Sequence, residues 1–159
     1  MTKDISEPDK LVALLGEVKR VAKEYRDVTG RPLGITGEVA EYEAAQLLKG
    51  VELAPVRQAG YDAIRRSATG VERLQIKGRC VRAGSKAGQR IGGIDLTKEW
   101  DSVVLVLLDE HLEAVQIYEA DRASITLALT APGSRARNER GQLAVSKFKA
   151  IGRRVWPDP

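Results

Sequence analysis

A continuous apolar run at residues 103–108, Val-Val-Leu-Val-Leu-Leu, constrains the fold more than any other feature of this sequence. The run has the length of a strand, and it lacks the alternation of apolar and polar residues that a strand with one wet face shows. A central strand covered on both faces is therefore predicted, and a covered sheet needs helices on each side. The fold class that follows is α/β, with a mixed central sheet flanked by helices.

Helical and strand patterns surround this run. Helices are predicted at residues 8–28, at 37–48 after a Thr36 cap, from the Asp121 cap to about residue 129, and at 146–151. Strands are predicted at residues 60–66, 71–81, 102–108, 114–118 and 142–145. The chain has 159 residues, of which 43% are hydrophobic and 30% charged, so one folded domain over residues 1–159 is expected.

The first predicted helix carries an apolar seam with spacings of four and three, formed by Leu11, Leu15, Val18, Ala22 and Tyr25. Such a seam could pair with its copy in a homodimer. It could equally cover the domain's own sheet, which is the commoner use of an amphipathic helix. Both interpretations stay open at this point.

The compartment is predicted from what the sequence lacks. Cys80 is the only cysteine, so no disulfide can form within the chain, and this suits a reducing environment. The first ten residues are polar, unlike a secretory signal, and no apolar run approaches the roughly 20 residues that span a bilayer. A cytoplasmic protein without membrane contact is expected.

Basic residues are concentrated in two stretches. Residues 63–90 hold eight Lys or Arg and one acid, and residues 131–156 hold seven and one, although the net charge is only +4. Such a distribution predicts a basic face for a phosphate backbone. The candidates for contacting nucleic acid in the first stretch are Arg65, Arg66, Arg79, Arg82, Lys86 and Arg90.

The strongest chemical signal lies in a predicted hairpin. The loop at residues 67–70 joins two strand-like segments, and pairing Arg66 with Val71 places Asp62 opposite Gln75. Lys77 follows two residues later on the same face. Carboxylate and amide oxygens suit Mg²⁺ or Mn²⁺, and a lysine beside the cation could orient or deprotonate water for phosphodiester cleavage.

These residues resemble those of a known family. Asp62, followed thirteen residues later by the strand Gln75-Ile76-Lys77, and preceded by a helix carrying Gly37-Glu38-Val39-Ala40-Glu41, looks like the PD-(D/E)XK, or restriction-endonuclease-like, nuclease superfamily. It is similar to small bacterial members. The resemblance covers residues 37–81, with 103–118 fitting later strands, so residues 36–156 would form the nuclease-like core.

The resemblance implies a metal-dependent endonuclease acting on DNA. Asp62, Gln75 and the Ile76 carbonyl would hold the metal, Lys77 would act on water, and Glu41 or Glu38 would complete the site. Glu41 is favoured, because apolar residues facing the sheet follow it along the helix.

This sequence departs from the family pattern at two positions. Tyr61 replaces a proline that has no chemical role, whereas Gln75 replaces an acid, and the loss of that charge should weaken metal binding. Two alternatives therefore remain: a nuclease-fold module that binds nucleic acid or a protein without cutting, and a purely structural domain with a basic surface.

Overall fold

The protein is an α/β structure built on a mixed six-stranded sheet. The computed structural model describes residues 7–55, 58–84, 88–133 and 140–159. Its strands are β1 (Val51–Leu53), β2 (Ala63–Ser67), β3 (Gly70–Cys80), β4 (Arg90–Ile91), β5 (Ser102–Leu108), β6 (Ala114–Asp121), β7 (Leu143–Ala144) and β8 (Arg153–Trp156). The described helices are α1 (Glu7–Thr29), α2 (Thr36–Leu47), α3 (Arg122–Thr130) and α4 (Val145–Ile151).

The main sheet has the order β1-β2-β3-β5-β6-β8, and β4 pairs with β7 in a separate two-stranded ladder. Only the β3–β5 pair is parallel, which makes the sheet mixed. All seven residues of β5 are buried. The prediction of a central strand covered on both faces is therefore confirmed.

Each face of β5 belongs to a different core. Val104, Val106 and Leu108 pack with α2 residues in one cluster, and Val103, Leu105 and Leu107 pack with residues of α3 and α4 in the other. The continuous apolar run of the sequence thus reflects two cores, one above and one below the same strand.

The hairpin register is confirmed, because Arg66 pairs with Val71. The predicted four-residue loop is wrong, since Ser67 pairs with Gly70 and only Ala68 and Thr69 remain between the strands. Gly70 has a φ of 137°, which its missing Cβ permits at this tight connection. Strand β2 begins at Ala63 rather than at residue 60, so Asp62 lies just before the ladder.

Of the two predicted helix caps, one is confirmed and the other is wrong. Asp121 caps α3 as predicted, accepting a 2.8 Å hydrogen bond from the Ser124 N–H. Thr36 does not cap α2, because it is the first helical residue and Ile35 occupies the cap position without a side-chain bond. Strand β6 extends to Asp121, three residues past its predicted end, and the short strands β1, β4 and β8 were not predicted.

Helix α1 is attached to the domain by one narrow face. Ala22 is its only buried residue, and it joins the core that α2 covers. The Lys19 ammonium lies 2.8 Å from the Glu43 carboxylate on α2 and 3.0 Å from that of Glu113. Of the predicted seam, Leu11, Val18 and Tyr25 remain exposed, so packing on the domain accounts for only part of it.

Among the described residues, no helix is both long enough and apolar enough to cross a bilayer.

Candidate active site

Asp62 lies immediately before the first residue of β2, opposite a residue that already belongs to β3. Its backbone N–H donates to the Leu74 carbonyl at 2.8 Å, and its Oδ2 accepts the Ile76 N–H at 2.7 Å. The carboxylate therefore takes the place of a backbone acceptor at the open end of the ladder. Because N–H and C=O of one residue point to the same side of an antiparallel pair, the Ile76 carbonyl also faces this opening.

Gln75 is opposite Asp62 in the register that β2 and β3 set, and only 8% of its surface is exposed. Its Nε2 donates a long bond of 3.4 Å to the Gly60 carbonyl. The other amide atom, Oε1, is buried and has no hydrogen-bond partner among the described residues. Such an atom is rare in native proteins, because an unpaired buried acceptor destabilises the fold.

Glu41 approaches the same place from α2 and is half-buried. Burial raises the pKa of the Glu41 carboxyl, the charges of Asp62 and Glu38 raise it further, and Lys77 opposes them. Glu41 is thus close enough to Asp62 and Lys77 to interact with both. Glu38, the other candidate, is exposed one turn earlier.

Gly78 explains how α2 comes so near to β3. A Cβ at this position would lie 2.7 Å from the Cβ of Ala40 and 2.9 Å from the Thr36 carbonyl oxygen. Contacts this short are not tolerated, so only glycine allows the first turns of α2 to rest on the strand. This close approach holds Glu41 beside the strand residues of the site.

Lys77 supplies the basic side chain of the candidate site. Burial lowers its pKa, Asp62 and Glu41 act to raise it, Arg79 acts to lower it, and the net direction is downward. Its Nζ lies 3.5 Å from the Gly93 carbonyl, which it can use as an acceptor. A lysine with a lowered pKa gives up its proton more readily, as a general base must.

The donor set fits a hard divalent cation. The carboxylates of Asp62 and Glu41, the unpartnered Gln75 Oε1 and the Ile76 carbonyl are all oxygen donors of the kind that Mg²⁺ and Mn²⁺ accept. No cluster of three or more His, Cys, Asp or Glu side chains suited to a metal occurs in the described ranges. A cation at this site would therefore take its remaining ligands from amide or carbonyl oxygens, water or substrate.

The predicted basic face is only partly available to a ligand. Arg65 binds both carboxylate oxygens of Glu119, at 2.7 and 2.8 Å, and also contacts Glu72. The bond to Glu119 raises the pKa of Arg65 against the effect of burial. Arg65 is therefore held in ion pairs by the fold, and its contact with nucleic acid stays a prediction.

The remaining candidates are distributed differently. Arg66 is exposed and lies 3.5 Å from Glu52. Arg79 donates to the Arg90 carbonyl at 2.6 Å and to the Gly78 carbonyl at 2.8 Å, which ties β3 to β4. Lys86 lies outside the described residues.

An open cleft of about 530 Å³ adjoins the end of β3. Its lining includes two of the predicted basic residues and several small or polar ones: Pro32, Thr36, Arg79, Cys80, Arg82, Ala83, Gly84 and Gln89. Arg79 follows Lys77 by two residues on β3, so the cleft begins just past the candidate site along that strand, and none of the candidate metal-binding or catalytic residues lines it.

The sequence did not indicate the roles of Gly60 and Gly93, whose carbonyls contact Gln75 and Lys77. Backbone acceptors leave no trace in residue type, apart from the turn-forming glycines themselves.

No protein-family model matches this chain, and no curated protein matches it significantly. The resemblance to PD-(D/E)XK nucleases accordingly rests on the sequence pattern alone and stays a prediction.

Proposed function

We propose that this protein is a metal-dependent phosphodiesterase that cleaves DNA, with a restriction-endonuclease-like core. The observation that carries the proposal is the buried Gln75 Oε1, which lacks a partner among the described residues and belongs to the residue opposite Asp62 in the hairpin register. A cation bound by both would satisfy the amide oxygen. It would also offset the repulsion from Asp62 and Glu38, which adds to burial in raising the pKa of Glu41.

Each residue has a distinct part in the proposed reaction. Asp62, Gln75 Oε1 and the Ile76 carbonyl would hold Mg²⁺ or Mn²⁺, and Glu41 would complete the site from α2. The bound cation would supply charge stabilisation at the phosphate oxygens and a lower pKa for a bound water. Lys77, whose pKa burial already lowers, would take the proton of the attacking water or hold that water in line.

The surroundings support a polyanionic substrate. A nucleic acid strand that places one phosphate at Lys77 would have to follow β3 from there to reach the cleft that Arg79 and Arg82 line. Phosphates are attracted to such arginines without regard to sequence. This arrangement favours binding through the backbone.

The test is cleavage of supercoiled plasmid DNA with Mg²⁺, Mn²⁺ or EDTA. Cleavage should need the metal, and Asp62→Asn should lower its rate by about 100-fold or more. Asparagine keeps an acceptor for the Ile76 N–H, so the hairpin should stay folded. Lys77→Met should cause a similar loss.

Lys98→Met is the matched control, because Lys98 is exposed and lies outside the site. It should cleave at the wild-type rate. Undiminished cleavage by purified Asp62→Asn protein, with wild-type circular dichroism, would rule this site out.

A second function has one specific observation in its favour, which is the neutral Gln75 where the family pattern has an acid. On this alternative the fold binds nucleic acid without cutting it. Calorimetric titration separates the two: absence of Mn²⁺ binding at millimolar concentration, together with salt-sensitive DNA binding, supports the non-cleaving module.

A further inference from the structure

Helix α1 presents two different faces. Its inner face follows the spacing four, three, four through Leu15, Lys19, Ala22 and Arg26 and lies against the domain. Ala22 is 6% exposed, Lys19 pairs with Glu43, and Arg26 donates to the Glu110 carbonyl at 2.7 Å. One stripe of the helix is thus fully used by the fold.

A second stripe, which lies next to the inner face and is here called the outer seam, consists of six apolar side chains: Leu11, Leu14, Val18, Val21, Tyr25 and Val28. Their spacing is three, four, three, four, three, the a and d positions of a heptad repeat. All six are exposed, from 38% at Val18 to 86% at Val28. A soluble domain rarely leaves a continuous apolar stripe of this length uncovered.

The charges of α1 argue for a protein partner over a membrane. Away from the outer seam the helix carries both signs, with intrahelical ion pairs between Arg20 and Glu24 and between Lys23 and Asp27. Helices that lie on anionic lipid have a predominantly basic polar face. Mixed flanks with a strict heptad are typical of a helix that pairs with another helix.

We propose that the outer seam is a homodimer interface in which α1 of one chain pairs in parallel with α1 of a second copy. A heptad stripe is self-complementary, because its side chains pack between those of an identical stripe. The flanks select the direction. One flank holds Lys10, Glu17 and Glu24, and the other is the edge of the inner face, where the uncharged Leu15 and Ala22 lie against the domain and Thr29 follows them.

Parallel pairing places the charged flank of each helix beside the uncharged flank of its partner. Antiparallel pairing in the register that matches all six seam positions would place Glu17 beside Glu24 of the second copy, twice per dimer. Like charges in such contact are destabilising.

The energetics allow a dimer from a short seam. The seam spans about 26 Å of helix, and side chains with these exposures would bury about 1,000 Å² over both copies, near the lower bound for a specific interface. Short isolated helices pay to nucleate, but α1 is already held on the domain through Lys19, Ala22 and Arg26. Dimerisation therefore does not have to offset the entropy lost when the helix becomes ordered.

The experiment is sedimentation equilibrium of the full chain, with a matched pair of variants, at concentrations from about 1 to 100 µM. Leu14→Glu changes a seam residue that is 59% exposed, and Val12→Glu changes an apolar residue of the same helix that is 57% exposed but lies off the seam. The wild type and Val12→Glu should approach twice the 17.4 kDa chain mass, and Leu14→Glu should remain at 17.4 kDa.

Val21→Glu should repeat the effect of Leu14→Glu, and all variants should keep the wild-type thermal midpoint at a concentration where every chain is monomeric. A wild type that stays at 17.4 kDa throughout would overturn the proposal. So would equal dimerisation of Leu14→Glu and Val12→Glu. A monomer that instead sediments with anionic lipid vesicles would assign the seam to a membrane.

Crosslinking tests the direction. In a Cys80→Ser background, Leu14→Cys should form a disulfide dimer under mild oxidation, because parallel pairing brings the two position-14 side chains together. Val12→Cys should not. Crosslinking that requires mixing Leu14→Cys with Tyr25→Cys protein would show antiparallel pairing and overturn the parallel arrangement.

Discussion

Replacing Gln75 with leucine should make the protein more stable while removing its response to metal. In the ligand-free protein, Gln75 Oε1 is buried without a partner in the described structure, and the only bond of the amide is the 3.4 Å contact from Nε2 to the Gly60 carbonyl. Leucine has a similar size and carries no polar atom. Its side chain would join the core that contains Val103, the register partner of Gln75 on β5.

The magnitude follows from the two contacts. An unpaired buried acceptor costs about 1–3 kcal/mol, and a hydrogen bond as long as 3.4 Å returns about 0.5 kcal/mol or less. The expected net gain is about 1–2 kcal/mol, which corresponds to a thermal midpoint about 2–8 °C higher for a chain of this size. By contrast, Mn²⁺ at 100 times its dissociation constant should stabilise the wild type by about 2.7 kcal/mol.

Differential scanning calorimetry with and without Mn²⁺ measures both effects. Gln116→Leu is the matched control, since Gln116 lies on β6 away from the site and is half-exposed, and it should change the unfolding free energy by less than about 0.5 kcal/mol. If Gln75→Leu lowers the thermal midpoint, the amide oxygen of Gln75 already has a partner without metal, and the inference that it is a metal ligand is wrong. An Mn²⁺ response that survives in Gln75→Leu would likewise exclude residue 75 as a ligand.

Three further variants test the site and its support. Glu41→Gln should raise the thermal midpoint at neutral pH: a carboxyl whose pKa is raised by folding contributes stability at low pH that is lost as pH rises through the folded pKa, so the gain should vanish in acid. The same variant should make Mn²⁺ affinity, measured by calorimetry, less dependent on pH, because protons no longer compete at position 41. Lys77→Met should retain Mn²⁺ binding while its cleavage rate falls by about 100-fold or more. Substitution of a metal ligand would instead weaken Mn²⁺ binding as well. Glu119→Ala should cost about 3 kcal/mol in urea unfolding, because it leaves Arg65 half-buried with only Glu72 as a partner; a loss below about 1 kcal/mol would show that the pair is solvated.

Local patterns predicted most of the architecture. The apolar run of β5, the Asp121 cap and the pairing of Arg66 with Val71 each depend on residues close together in the chain, where periodicity and turn chemistry are informative. The short strands β1 and β8 were missed, because a strand of three or four residues has too little pattern to read. Their existence depends on the neighbouring strand.

Contacts between residues far apart in the sequence decided what the sequence could not predict. Nothing near Arg65 in the sequence shows that Glu119, 54 residues away, neutralises it. The predicted seam of α1 mixes residues of two faces for a related reason. Ten of the 23 residues of this helix are apolar and they fall on more than one side of it, so the sequence alone could not separate Leu15 and Ala22, which face the domain, from Leu14 and Val21, which face outwards.

The contact at Gly78 makes the spacing between a helix and a strand depend on a single missing methyl group. Any other residue there must push the start of α2 outwards, since its Cβ would overlap Ala40 and the Thr36 carbonyl. Gly78→Ala should therefore separate two properties that usually fail together: the sheet would persist with a loss of about 1–3 kcal/mol, while Glu41 would be carried away from Asp62. A protein altered in this way would look intact by circular dichroism, and its acidic pair would nevertheless be dismantled.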